Sequence, residues 1–245
     1  MQFRRDGQPF APCAEGGFSL EAGCLYTLTG PSGSGKSTLL NACALMLPRS
    51  GGTLALEGVP VDRFKPTEWR RRVCLVPQAA SLVPGTVRDN LLLGKPSASE
   101  DELWAVLERV NLAAFLKSEK GLDTPLLEKA SNLSGGQCQR IALARALLPD
   151  SLIYIFDEAT STIDIESENN IMAAKHKMAK HKTVLLISHR INSLKQADLI
   201  LVMDKGKICE LGTHEELSSQ EGIYKDIYEI QMNSDIRVME GGKKA

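Results

Sequence analysis

Two glycine-rich stretches of this sequence could each bind a phosphate group. The first, GPSGSGKST, fits the pattern G-x-x-x-x-G-K-[ST] and lies between the strand-like LYTLT and the apolar run TLLNACALML. Its glycines would let amide groups at a helix N-terminus turn inward on phosphates, while Lys36 bridges the outer ones and the Ser37 hydroxyl binds Mg²⁺. The alternative is a glycine-rich turn with a surface lysine. The predicted phosphate-binding residues are Gly30, Pro31, Ser32, Gly33, Ser34, Gly35, Lys36, Ser37 and Thr38.

The second stretch is SNLSGGQ, at residues 131–137. Ser134 stands where the N-cap of a predicted helix over 135–148 would lie. Its hydroxyl and the amides of Gly135 and Gly136 would then form another positive helix terminus. The residues assigned to this second site are Ser134, Gly135, Gly136 and Gln137.

An acidic pair, Asp157 and Glu158, follows the apolar run SLIYIF. Carboxylates at the edge of a core must be paired or bound to a metal, because their burial is otherwise costly. At the carboxyl end of a parallel strand the pair would face the phosphate site. Asp157 is then the indirect Mg²⁺ holder and Glu158 the base that polarises an attacking water. Alternatively, Glu158 is a capping charge at a helix N-terminus.

Two further polar residues follow strand-like runs. His189 ends VLLISH, and its imidazole could donate to a γ-phosphate oxygen and orient the water. Alone, a histidine after a strand is more often an ordinary loop residue, and it becomes informative only beside the acidic pair. Gln78 follows VCLVP and would reach metal and water as a neutral, two-ended hydrogen-bonding group.

Short apolar runs bounded by loop signals predict a mostly parallel α/β sheet. A glycine-bounded hairpin is expected at 51–61, and no strand run occurs between Gln78 and Pro149, where apolar residues recur at helical spacing instead. We therefore predict an α/β core at 1–80 and 149–230, a helical subdomain at 81–148 and a tail at 231–245. The predicted strands are Leu25–Thr29, Val73–Val76, Leu152–Phe156, Val184–Ile187 and Leu199–Met203.

The presence of two predicted phosphate sites is explained if both bind the same phosphate from opposite sides. Ser134 lies 98 positions after Lys36 and in the predicted helical insertion, from which it is not expected to reach its own first site. Across a two-fold axis it could close the site of a second copy. The redundancy therefore predicts a dimer.

The composition excludes several classes of protein. The 245 residues carry a net charge of −1, which gives no general attraction to nucleic acid. The six cysteines form no C-x-x-C pair and are expected to be reduced thiols of a cytosolic protein. No apolar run approaches the roughly 18 residues of a membrane span, and the N-terminus has no signal-like segment. Any membrane role is therefore expected to act through a partner.

Taken in order, GPSGSGKST, Gln78, LSGGQ, IFDEAT, STID and ISHR resemble the nucleotide-binding domain of an ATP-binding cassette (ABC) transporter, over roughly residues 3–230. The resemblance implies a P-loop NTPase (RecA-like) fold with a small antiparallel piece. It makes Gly30 to Thr38 the Walker A segment, Gln78 the Q-loop residue and Ser134 to Gln137 the signature. Asp157 and Glu158 would be the Walker B pair, Ser161 to Asp164 the D-loop, and His189 the switch histidine.

The same resemblance implies partners and cofactors. Such domains dimerise head to tail around two molecules of ATP with Mg²⁺, and hydrolysis drives coupled transmembrane domains from the cytoplasmic face of the membrane. Lys36, Gln78, Glu158 and His189 would act in hydrolysis; Ser37, Gln78 and Asp157 would hold the metal; and Asp164 would contact nucleotide across the dimer. Substrate, and homo- or heterodimer, are left open.

Finer features resemble the exporter branch. They are DEATST with STID, PGTVRDNLLLG after Gln78, and TPLLEKASNLSGGQ. Leu127 and Ala130 depart from this pattern, since they stand where glycines are usual. A kinase or GTPase is disfavoured because neither needs LSGGQ. Two alternatives stay open: a catalytically weak ATP-binding partner of a heterodimer, and a non-transport ABC ATPase.

The expected adenine contact is also atypical, which predicts weak selectivity for the base. The family places an aromatic residue about two dozen positions before the phosphate loop, where this chain has Arg5 and Asp6 flanked by Phe3 and Phe10. Phe3, Phe10 or Arg5 could stack on the base, the last by a cation–π contact. We expect similar kcat/KM values for ATP and GTP in steady-state assays, and a strong penalty for GTP would contradict the prediction.

Overall fold

The computed structural model describes residues 2–5, 8–10, 18–76, 81–127, 130–157 and 175–241. Within these ranges the strands are β1 (Gln2–Arg5), β2 (Gln8–Phe10), β3 (Leu25–Thr29), β4 (Arg49–Gly51), β5 (Ala55–Leu56), β6 (Val59–Pro60), β7 (Val73–Val76), β8 (Gly85–Thr86), β9 (Pro125–Leu126), β10 (Ile153–Asp157), β11 (Thr183–Ile187), β12 (Leu199–Asp204) and β13 (Lys207–Gly212).

The labelled helices are α1 (Lys36–Cys43), α2 (Pro66–Arg72), α3 (Val87–Leu92), α4 (Glu100–Arg109), α5 (Ala113–Ser118), α6 (Gly135–Leu147), α7 (Ile191–Lys195), α8 (His214–Ser218) and α9 (Ile223–Gly241). Residues 175–179 are also helical. None of these helices is both long and apolar enough to cross a membrane.

The contacts divide the chain into two compact units, residues 1–70 with 183–245, and residues 71–182. These bounds differ from the predicted division at 80 and 149, which stays a prediction. In the first unit β3 pairs in parallel with both β11 and β12, and β12 pairs antiparallel with β13. Strand β3 is buried along its whole length, as its apolar sequence predicts for a strand covered on both faces.

Small antiparallel pieces complete the first unit. The predicted hairpin at 51–61 is present as the β5–β6 pair, in which Leu56 faces Val59. Strand β1 pairs with β2 and with β4, and the backbone of Phe3 lies opposite that of Phe10. Both are candidates for the adenine contact, which stays a prediction.

The C-terminal helices of the first unit pack on the sheet through one apolar cluster. Its buried members are Leu194, Ile200, Val202, Leu217 and Tyr224. The Tyr224 hydroxyl also pairs with Nδ1 of His214 at 2.7 Å. Glu210 accepts from the first amides of α9, at Ile223 and Tyr224, and so caps this helix.

The second unit combines a parallel strand pair with the predicted helices. Strand β10 pairs with β7, and Phe156 lies opposite Val76. Helix α4 buries Leu103, Val106 and Leu107, the spacing from which a helix was expected. The expectation of no strand between Gln78 and Pro149 is wrong, because β8 and β9 form a two-residue antiparallel pair. The predicted α/β class with mostly parallel strands and small antiparallel pieces is confirmed.

The core of the second unit contains a lysine, Lys175, which is only 3% exposed. Its Nζ lies 4.5 Å from the centre of the Phe156 ring, the residue before Asp157. Burial lowers the pKa of the Lys175 ammonium to about 7, against about 10.4 in an unfolded chain. Between these values the unfolded chain holds a proton that the folded chain lacks, so stability should rise with pH.

We expect Lys175→Met to stabilise the chain by roughly 1–3 kcal/mol at pH 7, because it removes the cost of a buried ammonium. The gain should shrink as the pH approaches 10, where the lysine is neutral in both states. Urea denaturation at pH 7 and pH 9 measures the difference. Lys177→Met, at an exposed site on the same helix, is the matched control. A gain independent of pH would contradict the prediction.

Candidate functional site

The glycine-rich segment 30–38 forms a tight loop between β3 and α1. Gly30 has φ 140°, and a Cβ there would lie 2.0 Å from the carbonyl oxygen of Met203, so only glycine fits. Gly33 and Gly35 also have positive φ, at 77° and 102°. Gly35 is the N-cap of α1, and no side chain caps it. The positive N-terminal end of α1 thus lies at this loop, where an anion is stabilised.

Lys36 is held in this loop by main-chain oxygens. Its Nζ donates to the carbonyls of Gly30 at 2.8 Å and Pro31 at 2.9 Å, and lies 3.4 Å from Oγ of Ser34. The side chain is buried. The loop is in turn fixed to the β12–β13 turn, because the Gly206 amide donates to the Ser34 carbonyl. The ammonium is thus placed before any ligand arrives.

The outer part of the loop is exposed and offers oxygen atoms. Pro31, Ser32, Gly33 and Ser37 are exposed, whereas Thr38 is partly buried. A Cβ on Gly33 would meet nothing within 4 Å, so that side of the loop is open. Open glycine backbone, a fixed ammonium and an exposed serine hydroxyl fit a nucleotide phosphate with Mg²⁺, which prefers oxygen ligands.

The register of two parallel strands brings His189 to this loop. Leu28 lies opposite Ile187, so the residues that follow, Thr29 on one strand and 188–189 after the other, meet at one edge of the sheet. Thr29 Oγ1 lies 3.3 Å from Nδ1 of His189. This contact holds one ring nitrogen of the imidazole at the edge of the sheet.

Thr29 was not singled out in the sequence. The available signal was a polar residue at the end of a strand that is buried along its whole length. Ser188, which precedes the histidine, is also buried and accepts from the Arg190 amide at 3.1 Å. The two hydroxyls belong to the strand ends that carry the candidate site.

Asp157 belongs to the second unit and is the last residue of β10. Because Phe156 lies opposite Val76, Asp157 stands at the edge where the chain leaves β7 toward Gln78. Gln78, Glu158 and Asp164 fall outside the described residues. Their roles, like those of the other site residues, stay predictions.

The signature segment has the predicted N-cap. Ser134 Oγ accepts from the Gln137 amide at 3.2 Å, and Gln137 Oε1 accepts from the Ser134 amide at 2.8 Å. This capping box uses two of the donors at the start of α6 and leaves the amides of Gly135 and Gly136 to other partners. Ser134 and Gly135 are exposed. The helix end can therefore receive an anion from outside.

The departure at Ala130 has a backbone consequence. Ala130 adopts φ 50°, the left-handed region in which glycine costs less than alanine. Its carbonyl accepts from Cys138 Sγ at 3.9 Å. The Cys138 side chain thus points back to the segment before the helix. Leu127, the other departure, is not in this left-handed region and is exposed.

A family model described as ABC transporter matches residues 15–161, more than half of the chain. This range includes the glycine-rich loop, the signature segment and Asp157.

Individual relatives agree. The chain is 41% identical over 207 residues to an uncharacterised ABC transporter ATP-binding protein of Haemophilus influenzae, covering 84% of this chain and 37% of that protein. It is 40% identical over 218 residues to the ATP-dependent lipid A-core flippase of Mannheimia succiniciproducens, covering 88% and 37%.

Among solved structures, a bacterial Atm1-family ABC exporter with ATP bound superposes with a TM-score of 0.86 at 31% identity. The superposition covers 94% of this chain and 40% of that one. The chain thus spans about two fifths of the length of the relatives it matches. It has the P-loop fold of an ABC ATPase, and it belongs to the ABC transporter family as an ATP-binding domain.

Proposed function

We propose that this chain binds MgATP, dimerises around two nucleotides and couples ATP hydrolysis to export through transmembrane domains. The observation that carries the proposal is the shared edge of β3 and β11, where the loop with Lys36, Thr29 and His189 meet. A phosphate-binding loop and an oriented imidazole at one edge favour hydrolysis over binding alone.

Each site residue has a distinct task in this proposal. Lys36 and the first amides of α1 bind the outer phosphates, and Ser37, Gln78 and Asp157 supply oxygens to the metal. Bound Mg²⁺ supplies positive charge that stabilises the phosphoryl oxygens.

Hydrolysis also needs an activated water. Glu158 acts as the general base, and His189, held at Nδ1 by Thr29, orients the water and donates through Nε2. The Thr29 hydroxyl is therefore a positioning group for the histidine.

Dimerisation follows from the exposed start of α6. The amides of Gly135 and Gly136 and the Ser134 hydroxyl lie at a positive helix terminus, where a phosphate is stabilised. In the proposed dimer this terminus closes the nucleotide site of the other copy, while Asp164 approaches the same interface. The second copy is either identical or a homologous chain.

A small apolar surface in the second unit suits a membrane-domain partner. Val83 and Leu127 are 42% and 55% exposed. They lie at the same end of the β8–β9 pair, because Gly85 faces Leu126 across it. An intracellular loop of a transmembrane domain would cover these side chains. The chain would then work at the cytoplasmic face of a membrane, and the relatives named as a flippase and an exporter support export.

Glu158→Gln tests the enzymatic proposal. The variant should lose more than about 99% of ATPase activity, because a neutral amide cannot activate water, but should accumulate as an ATP-bound dimer in sedimentation velocity. Glu229→Gln, at an exposed site on α9, is the matched control and should behave as wild type. A wild-type chain without ATPase activity would instead indicate the catalytically weak partner.

Ser134→Arg tests the role of the signature. The variant should bind ATP as a monomer within about twofold of wild type, since the signature is proposed to serve the nucleotide of the other copy, but should not dimerise with ATP. Ser99→Arg is the matched control, because Ser99 caps α4 with the same capping box. Both variants lose about 1 kcal/mol of helix capping. Loss of ATP binding in the Ser134→Arg monomer would contradict the prediction, because it would show that the signature contributes to the nucleotide site of its own chain.

A further inference from the structure

A two-residue turn joins β12 to β13 beside the phosphate loop. Asp204 lies opposite Lys207 in this antiparallel pair, so the turn consists of Lys205 and Gly206 alone. Their φ angles are 44° and 82°, and positive values at both positions are those of a type I′ turn. Lysine rarely adopts such a φ, because its Cβ crowds the backbone. The residue type at position 205 therefore affects whether this turn keeps its shape.

A β-bulge lies immediately before the turn. Glu210 lies opposite Val202, whereas the next residue of β12 lies opposite Ile208. Cys209 is therefore the extra residue of the bulge, and its Sγ–H donates to the Val202 carbonyl at 3.3 Å. A bulge bends the strand that carries it and changes the direction of the residues beyond it. The bulge thus helps to set where the end of the hairpin points.

The end of this hairpin contacts the phosphate loop at two places. A Cβ on Gly30 would lie 2.0 Å from the carbonyl oxygen of Met203, so the start of the loop packs directly against β12. Further along the loop, the Ser34 carbonyl accepts from the Gly206 amide at 2.9 Å. Ser34 is 3% exposed and Gly206 is buried, so little water competes for this hydrogen bond. The hairpin therefore holds the loop on both sides of its exposed part.

The hydrogen bond from Gly206 orients the peptide that joins Ser34 to Gly35. In a planar trans peptide the C=O and the N–H point in opposite directions. Because the Ser34 carbonyl points at the turn, the Gly35 N–H points away from it. Gly35 has φ 102°, and a glycine restricts rotation of the neighbouring peptide less than a residue with a side chain does. The Gly206 amide thus selects one of the orientations open to this peptide.

The orientation of this peptide affects the groups expected at the phosphates. Gly35 is the N-cap of α1, whose positive end stabilises an anion. Ser34 Oγ lies 3.4 Å from the Lys36 ammonium. A rotation of the peptide would therefore displace an amide donor at the helix end and a neighbour of the ammonium together.

We propose that Gly206 is a positioning residue of the nucleotide site, and this rests on the proposed function. Its amide holds the Ser34 carbonyl on the side of the hairpin, so that the Gly35 N–H faces the phosphates of a bound nucleotide. Gly206 acts through this peptide and not by contact with the nucleotide. Since the orientation is set before the nucleotide arrives, the turn contributes to nucleotide affinity and not to the hydrolytic step.

Lys205→Pro tests the role of the turn. Proline fixes φ at about −65°, so the type I′ turn cannot form and the Gly206 amide leaves the Ser34 carbonyl. Binding of MgADP, measured by calorimetry, should weaken about tenfold, as when one hydrogen bond to a charged group is lost. The KM for MgATP should rise by the same factor, whereas kcat at saturating MgATP should stay within about twofold of wild type. A variant that merely folds less well would instead lose kcat in proportion to its unfolded fraction.

Lys205→Gly and Glu57→Pro are the matched controls. Glycine keeps the turn but removes the lysine charge, so MgADP binding should stay within about twofold of wild type. Glu57 and Gly58 form the same kind of turn between β5 and β6, with φ of 51° and 77°, and both are exposed. Glu57→Pro disrupts that turn by the same mechanism and should leave MgADP binding unchanged.

Three results would overturn the proposal. The first is wild-type affinity for MgADP in folded Lys205→Pro. The second is an equal loss of affinity in Lys205→Gly, which would assign the effect to the lysine charge. The third is an equal loss in Glu57→Pro, which would assign it to the general stability of the unit.

Should Lys205→Pro not fold, Lys205→Val carries the test. A β-branched residue at positive φ strains the same turn and should weaken MgADP binding about threefold, so an unchanged affinity would also overturn the proposal. A failure of the proposed function gives a different result. In that case the wild-type chain would itself lack MgADP binding or ATPase activity, whereas both stay intact in wild type if only the role of Gly206 is wrong.

Discussion

Parallel hydrogen bonding between β3 and β11 is the constraint on which the first half of the site depends. With Leu28 opposite Ile187, the two chains leave the sheet at the same edge, one into the loop with Lys36 and the other into His189. A slip of one residue would turn every side chain of β11 to the opposite face and break the Thr29–His189 contact. The loop with Lys36 is formed by residues close together in sequence, but the position of His189 beside it depends on the pairing of β3 with β11.

Much of this sheet could be predicted from sequence, because strands covered on both faces leave unbroken apolar runs. Strands β3 and β7 begin and end at the predicted residues, and β11 and β12 differ by one residue at one end. Strand β13, Lys207–Gly212, was not predicted, because it is an edge strand that alternates exposed and partly buried positions with charged residues. The β8–β9 pair has two residues a strand, which is too short for any period to be visible.

The residues of the candidate site also divide into those that the sequence identifies and those that only the structure identifies. Residues whose type is fixed by local chemistry, such as Gly30, Lys36 and Ser134, could be selected from the sequence alone. Thr29 could not, because its partner His189 lies 160 positions away. Ala130 is intermediate: the sequence marked it as unusual, and its φ of 50° supplies the reason, since a backbone in that region tolerates glycine better.

Carbonyl oxygens surround the Lys36 ammonium in the folded chain. The free-energy cost of burying its charge therefore arises during folding and not when a ligand binds. Water has already been removed from the ammonium and replaced by the oxygens of Gly30 and Pro31 during folding. An arriving phosphate therefore exchanges one set of oxygens for another and does not dehydrate a mobile cation. The buried charge lowers the free energy of unfolding, and binding of the phosphate costs correspondingly less free energy. The affinity of this loop for a nucleotide is thus partly determined during folding, before the nucleotide binds.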